Sequence, residues 1–248
     1  MSWHRTFEYG GRRYELLHPH PEHSHKDRPY QTQLTSLNDG YTLTCSPYSG
    51  DDGLRCRFSV GESEWGYVIS SRLRKQYQVM MPGFQIDPHK QLVEVGAGLS
   101  EPVVHWAECA AALEPKGPRP VVIDPADYPL MADMVDTAIA LAPEEEHIAQ
   151  VLDILMDLKR RCAVLLDPDR VVLLPVELKE AAVLYPELRG LADVVVDCYA
   201  AATYVPVNFN KPNISGQRKR VREKIFAIER SFLKPDGALF SVVPAHHS

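Results

Sequence analysis

The segment Gln91–Pro102, QLVEVGAGLSEP, places an acid and closely spaced glycines after a run of apolar residues. Glu94 lies near the end of that run, and Gly96, Ala97 and Gly98 follow it. Glycine lets the backbone turn tightly and approach a ligand, because no Cβ stands in the way. A helix beginning just beyond the loop would offer unpaired N–H groups to an anionic group. The spacing predicts a ligand-binding loop, although glycines after a strand also serve simple turns.

A second carboxylate follows the next apolar run, RPVVID. Asp124 ends this run, 26 residues after Gly98. In open α/β sheets ligands bind at the carboxyl ends of the strands, and a carboxylate there can accept two hydrogen bonds from a ribose diol. The alternative is that Asp124 caps a helix, because Pro125 suits a first helical position. With the glycine loop preceding it, we favour the ligand-binding role.

The elements that position these residues begin near Pro88. From there, apolar runs of about five residues alternate with helical segments, as in βαβ units around a parallel sheet. The predicted strands are Leu92–Val95, Val121–Asp124, Val171–Leu174, Asp193–Asp197 and Ala238–Val243. A helix is predicted over EEEHIAQVLDILMDLKRR, with an apolar face of Ile148, Val151, Leu152, Leu155 and Met156. A second helix, which Pro235-Asp236-Gly237 should end, has an apolar stripe of Val221, Ile225, Ile228 and Phe232.

Residues 1–87 have a different composition, rich in Gly, Pro, Ser, Tyr and charged residues. Short β-type runs alternate here with turn signals, of which Asn38-Asp39-Gly40 and Asp51-Asp52-Gly53 are the clearest. The sequence therefore predicts an α/β protein with a β-rich N-terminal appendage over residues 1–87 and a second domain over residues 88–248.

The order of these features resembles the class I S-adenosylmethionine-dependent methyltransferases. The features are the acid-x-Gly-x-Gly loop, the acid ending the second strand, ADVVVD as fourth strand and FLKPDGALFSV as fifth. The segment Leu233–Gly237 is similar to the family's LKPGG signature, and the resemblance covers about residues 88–243. It implies a Rossmann-like, doubly wound, mainly parallel sheet, here without the usual last two strands. We expect residues 1–87 to pack on the sheet or supply replacement strands, or a homodimer to cover the exposed edge.

The resemblance also implies a set of site residues, with S-adenosylmethionine as cofactor and no metal. The expected cofactor-binding residues are Glu94, Gly96, Ala97, Gly98, Asp124 and Glu177. Asp124 would bind the ribose hydroxyls and Glu177 would lie near the adenine, unless Glu177 simply begins the next helix. The loop after the fourth strand would face the methyl group, which makes Asp197, Tyr199 and Tyr204 the candidate catalytic residues. The alternative for both tyrosines is half-buried packing.

Composition restricts partners and compartment. A net charge of −6 and a pI near 5.9 disfavour nucleic acid as a partner, so QRKRVREK (residues 217–224) is interpreted as a solvated helix face. No apolar run is long enough to span a bilayer, and the N-terminus lacks a signal-peptide pattern. Five scattered cysteines are typical of reduced thiols, which predicts a cytoplasmic protein. The His-rich stretch His18–His25 is interpreted as an exposed loop rather than a metal site.

The leading functional hypothesis is methyl transfer from S-adenosylmethionine to a small-molecule or peptide acceptor. The first alternative is a catalytically silent methyltransferase-like scaffold or regulatory protein. A second alternative keeps the fold but transfers an aminopropyl group. A dinucleotide cofactor is disfavoured, because Glu101 stands where the GxGxxG fingerprint requires its third glycine.

Overall fold

The structure is a computed structural model. It describes residues 4–17, 32–46, 55–60, 66–70, 81, 83–99, 101–198 and 214–242. Within these residues the protein is α/β, with one antiparallel sheet of six strands, one parallel sheet of five strands, and six α-helices. No helix in these ranges has the length and apolarity needed to cross a membrane.

The antiparallel sheet is a meander in which each strand pairs with the next along the chain. Its strands are β1 (His4–Tyr9), β2 (Arg12–Leu17), β3 (Thr32–Ser36), β4 (Tyr41–Ser46), β5 (Arg55–Val60) and β6 (Gly66–Ser70). The turn between β3 and β4 confirms the prediction at Asn38-Asp39-Gly40, where Gly40 has a φ of +70°. The sequence pattern did not indicate β3. The second predicted turn, at residues 51–53, lies outside the described residues.

One face of this sheet is apolar. Successive side chains of a strand point to opposite faces, and the buried set alternates accordingly. Its apolar members are Tyr14, Leu16, Leu34, Leu43, Cys45, Cys56 and Phe58. The opposite face is polar, and the hydroxyls of Thr35 and Thr42 lie within 3.1 Å of each other across β3 and β4.

Three helices form a compact unit with the antiparallel sheet: α2 (Tyr128–Leu141), α3 (Glu146–Gln150) and most of α4 (Leu152–Leu165). The unit comprises residues 1–77 and 127–163. Arg12 donates to the carboxylate of Asp133 on α2 at 3.0 Å. The hydroxyl of Thr32 lies 3.3 Å from Nδ1 of His147 on α3. The predicted boundary near residue 87 therefore leaves out helices that belong to the antiparallel sheet.

The parallel sheet lies in the other compact unit, which comprises residues 78–126 and 164–248. Its strands are β7 (Leu92–Val95), β8 (Val121–Ile123), β9 (Val172–Leu174), β10 (Ala192–Cys198) and β11 (Leu233–Val242). They are arranged in the order β11-β10-β7-β8-β9, and all neighbours are parallel. The first four predicted strands are confirmed to within one residue at either end. The fifth, predicted over Ala238–Val243, begins five residues earlier, at Leu233.

The crossovers of this unit contribute α1 (Glu101–Ala111), α5 (Leu178–Leu184), a 3-10 turn (Pro186–Leu188) and α6 (Ile214–Phe232). One sheet face forms a core with α5, the 3-10 turn and α6, and Val95, Ile123, Val195, Ile225 and Phe232 belong to it. Phe84 packs edge-on against Phe240 of β11 and close to Trp106 of α1, with ring centroids 5.3 and 6.1 Å apart.

Two helix predictions require correction. The single helix predicted over residues 144–161 is two helices, which meet at Val151, and Met156 of the predicted apolar face is 52% exposed. Leu158 and Cys162 are buried on that helix instead. The last helix ends at Phe232, and Pro235-Asp236-Gly237, predicted as the turn that stops it, lie within β11.

β11 is an edge strand, since within the described ranges only β10 pairs with it. The N-terminal strands form a sheet of their own, so they do not supply the replacement strands considered for this edge. The homodimer remains a prediction.

Candidate functional site

The candidate site lies where the strand order of the parallel sheet reverses direction. From β7 the chain moves outwards through β8 and β9, and then returns to the other side of β7 with β10 and β11. In open α/β sheets this switch point leaves a crevice outside the carboxyl ends of the two central strands. Asp197 of β10 is paired with Val95 of β7, so it lies beside the start of the glycine loop.

The glycine loop leaves β7 with two residues in the left-handed region. Gly96 has a φ of +59° and Gly98 a φ of +53°. An L-residue at either position would be strained, so the loop needs glycine. The N–H of Gly96 donates to the carbonyl of Ile123 at 2.8 Å, which ties the loop to the end of β8. Ala97 and Gly98 are buried.

Asp124 follows β8 and fixes this loop. Its Oδ2 accepts the N–H of Gly98 at 2.7 Å, and its Oδ1 accepts the N–H of Ala126 at 2.9 Å. The side chain is fully buried. Its own N–H donates to the carbonyl of Leu174 at 3.1 Å. The structure thus brings together the glycine loop and Asp124, as the sequence predicted, with the carboxylate holding backbone N–H groups.

The helix-cap alternative for Asp124 is wrong, because α2 begins only at Tyr128. Its cap is Asp127, whose side chain accepts the N–H of Leu130 at 3.0 Å. The DPAD sequence therefore contains two acids with separate tasks: Asp124 holds the glycine loop and Asp127 begins the helix.

Glu94 is buried in β7, with 1% of its surface exposed. Because strand side chains alternate, it points to the face opposite Val93 and Val95, which belong to the core with α5 and α6. Burying a carboxylate is costly, so an acid at this position is more typical of a site residue than of ordinary core packing.

Glu177 is exposed and lies at the N-cap of α5, after the end of β9. Its N–H donates to the carboxylate of Glu180 at 3.2 Å, one half of a capping box. This geometry confirms that Glu177 begins a helix, which the sequence left open. Its predicted contact near an adenine remains a prediction.

Asp197 forms a buried pair of acids with Glu229 of α6. Both side chains are fully buried. Asp197 lies on the same strand face as Val195, and Glu229 lies on the same helix face as Ile225 and Phe232, so both acids point into one core. Apart from the carboxyl group of Asp197, neither carboxyl oxygen of Glu229 has a hydrogen-bond partner among the described residues.

Two buried carboxyl groups in contact favour sharing a proton. Burial, the charge of Asp197 and a hydrogen bond to Asp197 raise the pKa of Glu229 to about 9, and Arg230 acts in the opposite direction. The pair of acids therefore keeps a proton at neutral pH. Glu229 was not predicted from the sequence, although an acid within the apolar stripe of α6 is a signal that could have indicated it.

Tyr199, Tyr204 and the stretch His18–His25 lie outside the described residues. In the basic run, Lys219, Arg220 and Lys224 are exposed, as expected of a solvated helix face. Within the described ranges, no group of three or more His, Cys, Asp or Glu is arranged to hold a metal ion.

The chain matches no protein-family model, and no curated protein is significantly similar to it in sequence.

Proposed function

We propose that the protein is an S-adenosylmethionine-dependent methyltransferase with a Rossmann-like fold, acting on a small-molecule or peptide acceptor. The observation that best supports this function is the glycine loop at the switch point of the parallel sheet. Three features lie together at the carboxyl ends of β7 and β8. They are the positive φ of Gly96 and Gly98, the hydrogen bond from the N–H of Gly98 to Asp124, and the buried Glu94. The strand order β11-β10-β7-β8-β9 places the end of β10 beside it.

The residues fit this cofactor better than a dinucleotide. S-adenosylmethionine supplies the electrophilic methyl group when it is bound, and it has no phosphate that would be repelled by Glu101 at the start of α1. Glu94, Gly96 and Gly98 would hold its amino-acid part. Asp124 would bind the ribose diol through the lone pairs left after its two backbone bonds, since each carboxylate oxygen can accept more than one hydrogen bond.

Among the described residues, Asp197 is the one that we propose takes up the proton released by the methyl acceptor. It lies at the end of β10, beside the start of the glycine loop. An ionised carboxylate can act as a general base once an acceptor is aligned with it. Tyr199 and Tyr204 are further candidates on the segment that follows.

One observation favours the alternative of a catalytically silent, methyltransferase-like scaffold. The carboxylate of Asp124 is fully buried and accepts backbone N–H groups through both oxygens. A loop held in this way is stable without a ligand, so the geometry alone does not require a cofactor. Cofactor affinity distinguishes the two functions.

The test is calorimetric titration of S-adenosylmethionine, S-adenosylhomocysteine and NAD⁺ into the purified protein. We expect micromolar binding of the first two and none of NAD⁺. Asp124→Asn should weaken binding, whereas Asp169→Asn, a change at an exposed acid away from the loop, should not. The folded fraction of each variant is measured by circular dichroism at the titration temperature. No binding at millimolar ligand by the folded protein would overturn the enzyme proposal and favour the scaffold.

A further inference from the structure

A cavity lies at the edge of the parallel sheet opposite the glycine loop, next to the segments that lead into β8 and β9. Its volume is about 310 Å³. Small residues line one side: Ala107, Ala110 and Ala111 of α1, and Gly117 of the loop before β8. All lining residues belong to the unit of the parallel sheet. The cavity lies away from the glycine loop, because α1 and β7 run from one edge of the sheet to the other.

The charged residues that line this cavity are mostly basic. Lys116 and Arg119 precede β8, and Arg170 precedes β9. Asp169 is the acid among the lining residues, so three cations face one anion. Positive charges gathered around a concave surface concentrate small anions.

These cations are only partly neutralised by the protein. Arg170 forms an ion pair with Asp167 at 3.0 Å, and Arg119 donates to the carbonyl of Pro168. Each guanidinium has five N–H donors, so both arginines retain donors for a ligand. Lys116 makes no ion pair with any residue in the described part of the chain, and its side chain is exposed.

The surrounding backbone is well fixed. The carbonyl of Ala110 accepts the N–H groups of Leu113 and Gly117, at 3.3 and 2.9 Å. The end of α1 therefore presents few unpaired carbonyls that would repel an anion. A Cβ on Gly117 would lie 2.1 Å from the carbonyl oxygen of Pro88, so the loop before β8 is also closely packed against Pro88.

We propose that this cavity binds a small organic phosphate. The volume is at the lower end of the range for small-molecule sites, which suits a phosphorylated metabolite of a few carbons. Arginine matches phosphate geometrically through two parallel N–H bonds. The three cations exceed the neighbouring acids Asp167 and Asp169 by one positive charge, which attracts an anion. The alanines would contact the carbon part of the ligand. The site is independent of the proposed methyl transfer and of its cofactor.

The probes are glycerol 3-phosphate, inorganic phosphate and succinate, titrated by calorimetry into the full chain at low ionic strength. We expect glycerol 3-phosphate to bind best and succinate least. Lys116→Glu should weaken binding about tenfold or more, because it replaces an attraction by a repulsion. Ala111→Leu should also weaken it, by filling the cavity. Lys179→Glu is the matched control, since it makes the same charge change at an exposed site on α5.

Lys116 and Lys179 are both exposed, so neither change should disturb folding. Equal affinity in Lys116→Glu and Lys179→Glu would overturn the proposal. An absence of binding at about 10 millimolar probe, roughly ten times a millimolar Kd, would also overturn it. Tighter binding of succinate than of glycerol 3-phosphate would overturn the phosphate assignment. S-adenosylhomocysteine affinity should be the same in all variants, which separates this result from the test of the proposed function.

Discussion

Asp124 accepts the backbone N–H of Gly98 at 2.7 Å, and 26 residues of chain separate the two. The other oxygen of the same carboxylate accepts the N–H of Ala126. One buried side chain thus joins the loop after β7 to the turn after β8. A ligand-binding loop needs this kind of support, because its geometry must be set before the ligand arrives.

Asp124→Ala should destabilise the protein without any ligand. It leaves two buried N–H groups without an acceptor, and each costs about 1–3 kcal/mol, so the free energy of unfolding should fall by about 2–6 kcal/mol. Asp124→Asn keeps one acceptor and should cost about half as much. Urea denaturation measures both, with Asp169→Asn as the control. A change below 0.5 kcal/mol, roughly that of an ordinary surface substitution, would contradict this role for Asp124.

The pairing of Glu229 with Asp197 gives stability a distinctive pH dependence. The pKa of Glu229 is raised to about 9 in the folded protein from an ordinary value of 4.5. Between these two pH values the unfolded chain has released a proton that the folded protein keeps. Stability must therefore fall as pH rises through this window, by up to about 1.4 kcal/mol per pH unit.

Glu229→Gln should remove this decline, because glutamine does not titrate. Its free energy of unfolding should exceed that of the wild type at pH 8.5 and match it more closely at pH 5. Asp197→Asn removes the neighbouring charge, so it should lower the pKa of Glu229 and narrow the pH range over which stability declines. Urea denaturation from pH 5 to pH 9 measures all three proteins. Parallel pH profiles for wild type and Glu229→Gln would show that Glu229 does not retain its proton.

The fold was largely predictable because its strands are continuous apolar runs. Val93, Val122 and Val195 belong to strands buried on both faces, which gives an unmistakable pattern. β3, TQLTS, was missed because its buried positions include Thr32 and Ser36, so polarity does not alternate along it. The grouping of α2–α4 with the antiparallel sheet depends on long-range packing, which local periodicity does not report.

The candidate site was predictable only in part. Glycines after a strand and an acid after the next one indicated Gly98 and Asp124, but the hydrogen bond between them is a tertiary contact. Glu229 was missed because it lies on the apolar face of its helix, which indicates only packing in the core. Its pairing with Asp197 is a tertiary contact that the sequence pattern does not show. Asp127 was indistinguishable from Asp124 as a helix cap until the first residue of α2 was known.

Asp193 makes the free energy of unfolding depend on pH with the opposite sign to that expected for Glu229. It accepts the N–H of Gln91 at 2.7 Å and the ammonium of Lys234 at 2.8 Å, which joins β7, β10 and β11. Burial tends to raise the pKa of Asp193, but these two hydrogen bonds outweigh it and lower the net pKa below its usual value. The stabilisation is therefore present above the unfolded-state pKa near 4 and lost as pH falls through the folded pKa.

Asp193→Asn should lower the free energy of unfolding by about 1–2 kcal/mol at pH 7, since a charged acceptor is lost. The difference from wild type should shrink at pH 3. Lys234→Met should show the same trend, and Lys179→Met, at an exposed lysine on α5, should have little effect. Thermal unfolding at pH 7, 5 and 3 is the measurement. An equal loss at all three pH values would mean that the effect is not electrostatic.

Gly117 tests whether the loop before β8 is as closely packed as its geometry indicates. A Cβ there would lie 2.1 Å from the carbonyl oxygen of Pro88, so Gly117→Ala must displace backbone and should cost about 3 kcal/mol. Gly190→Ala is the matched control. Gly190 has a φ of +64° and no atom near its Cβ position, so its substitution adds only left-handed strain of about 1–2 kcal/mol. Urea denaturation should rank Gly117→Ala as the more damaging change, and the reverse order would show that the loop yields by moving away from Pro88.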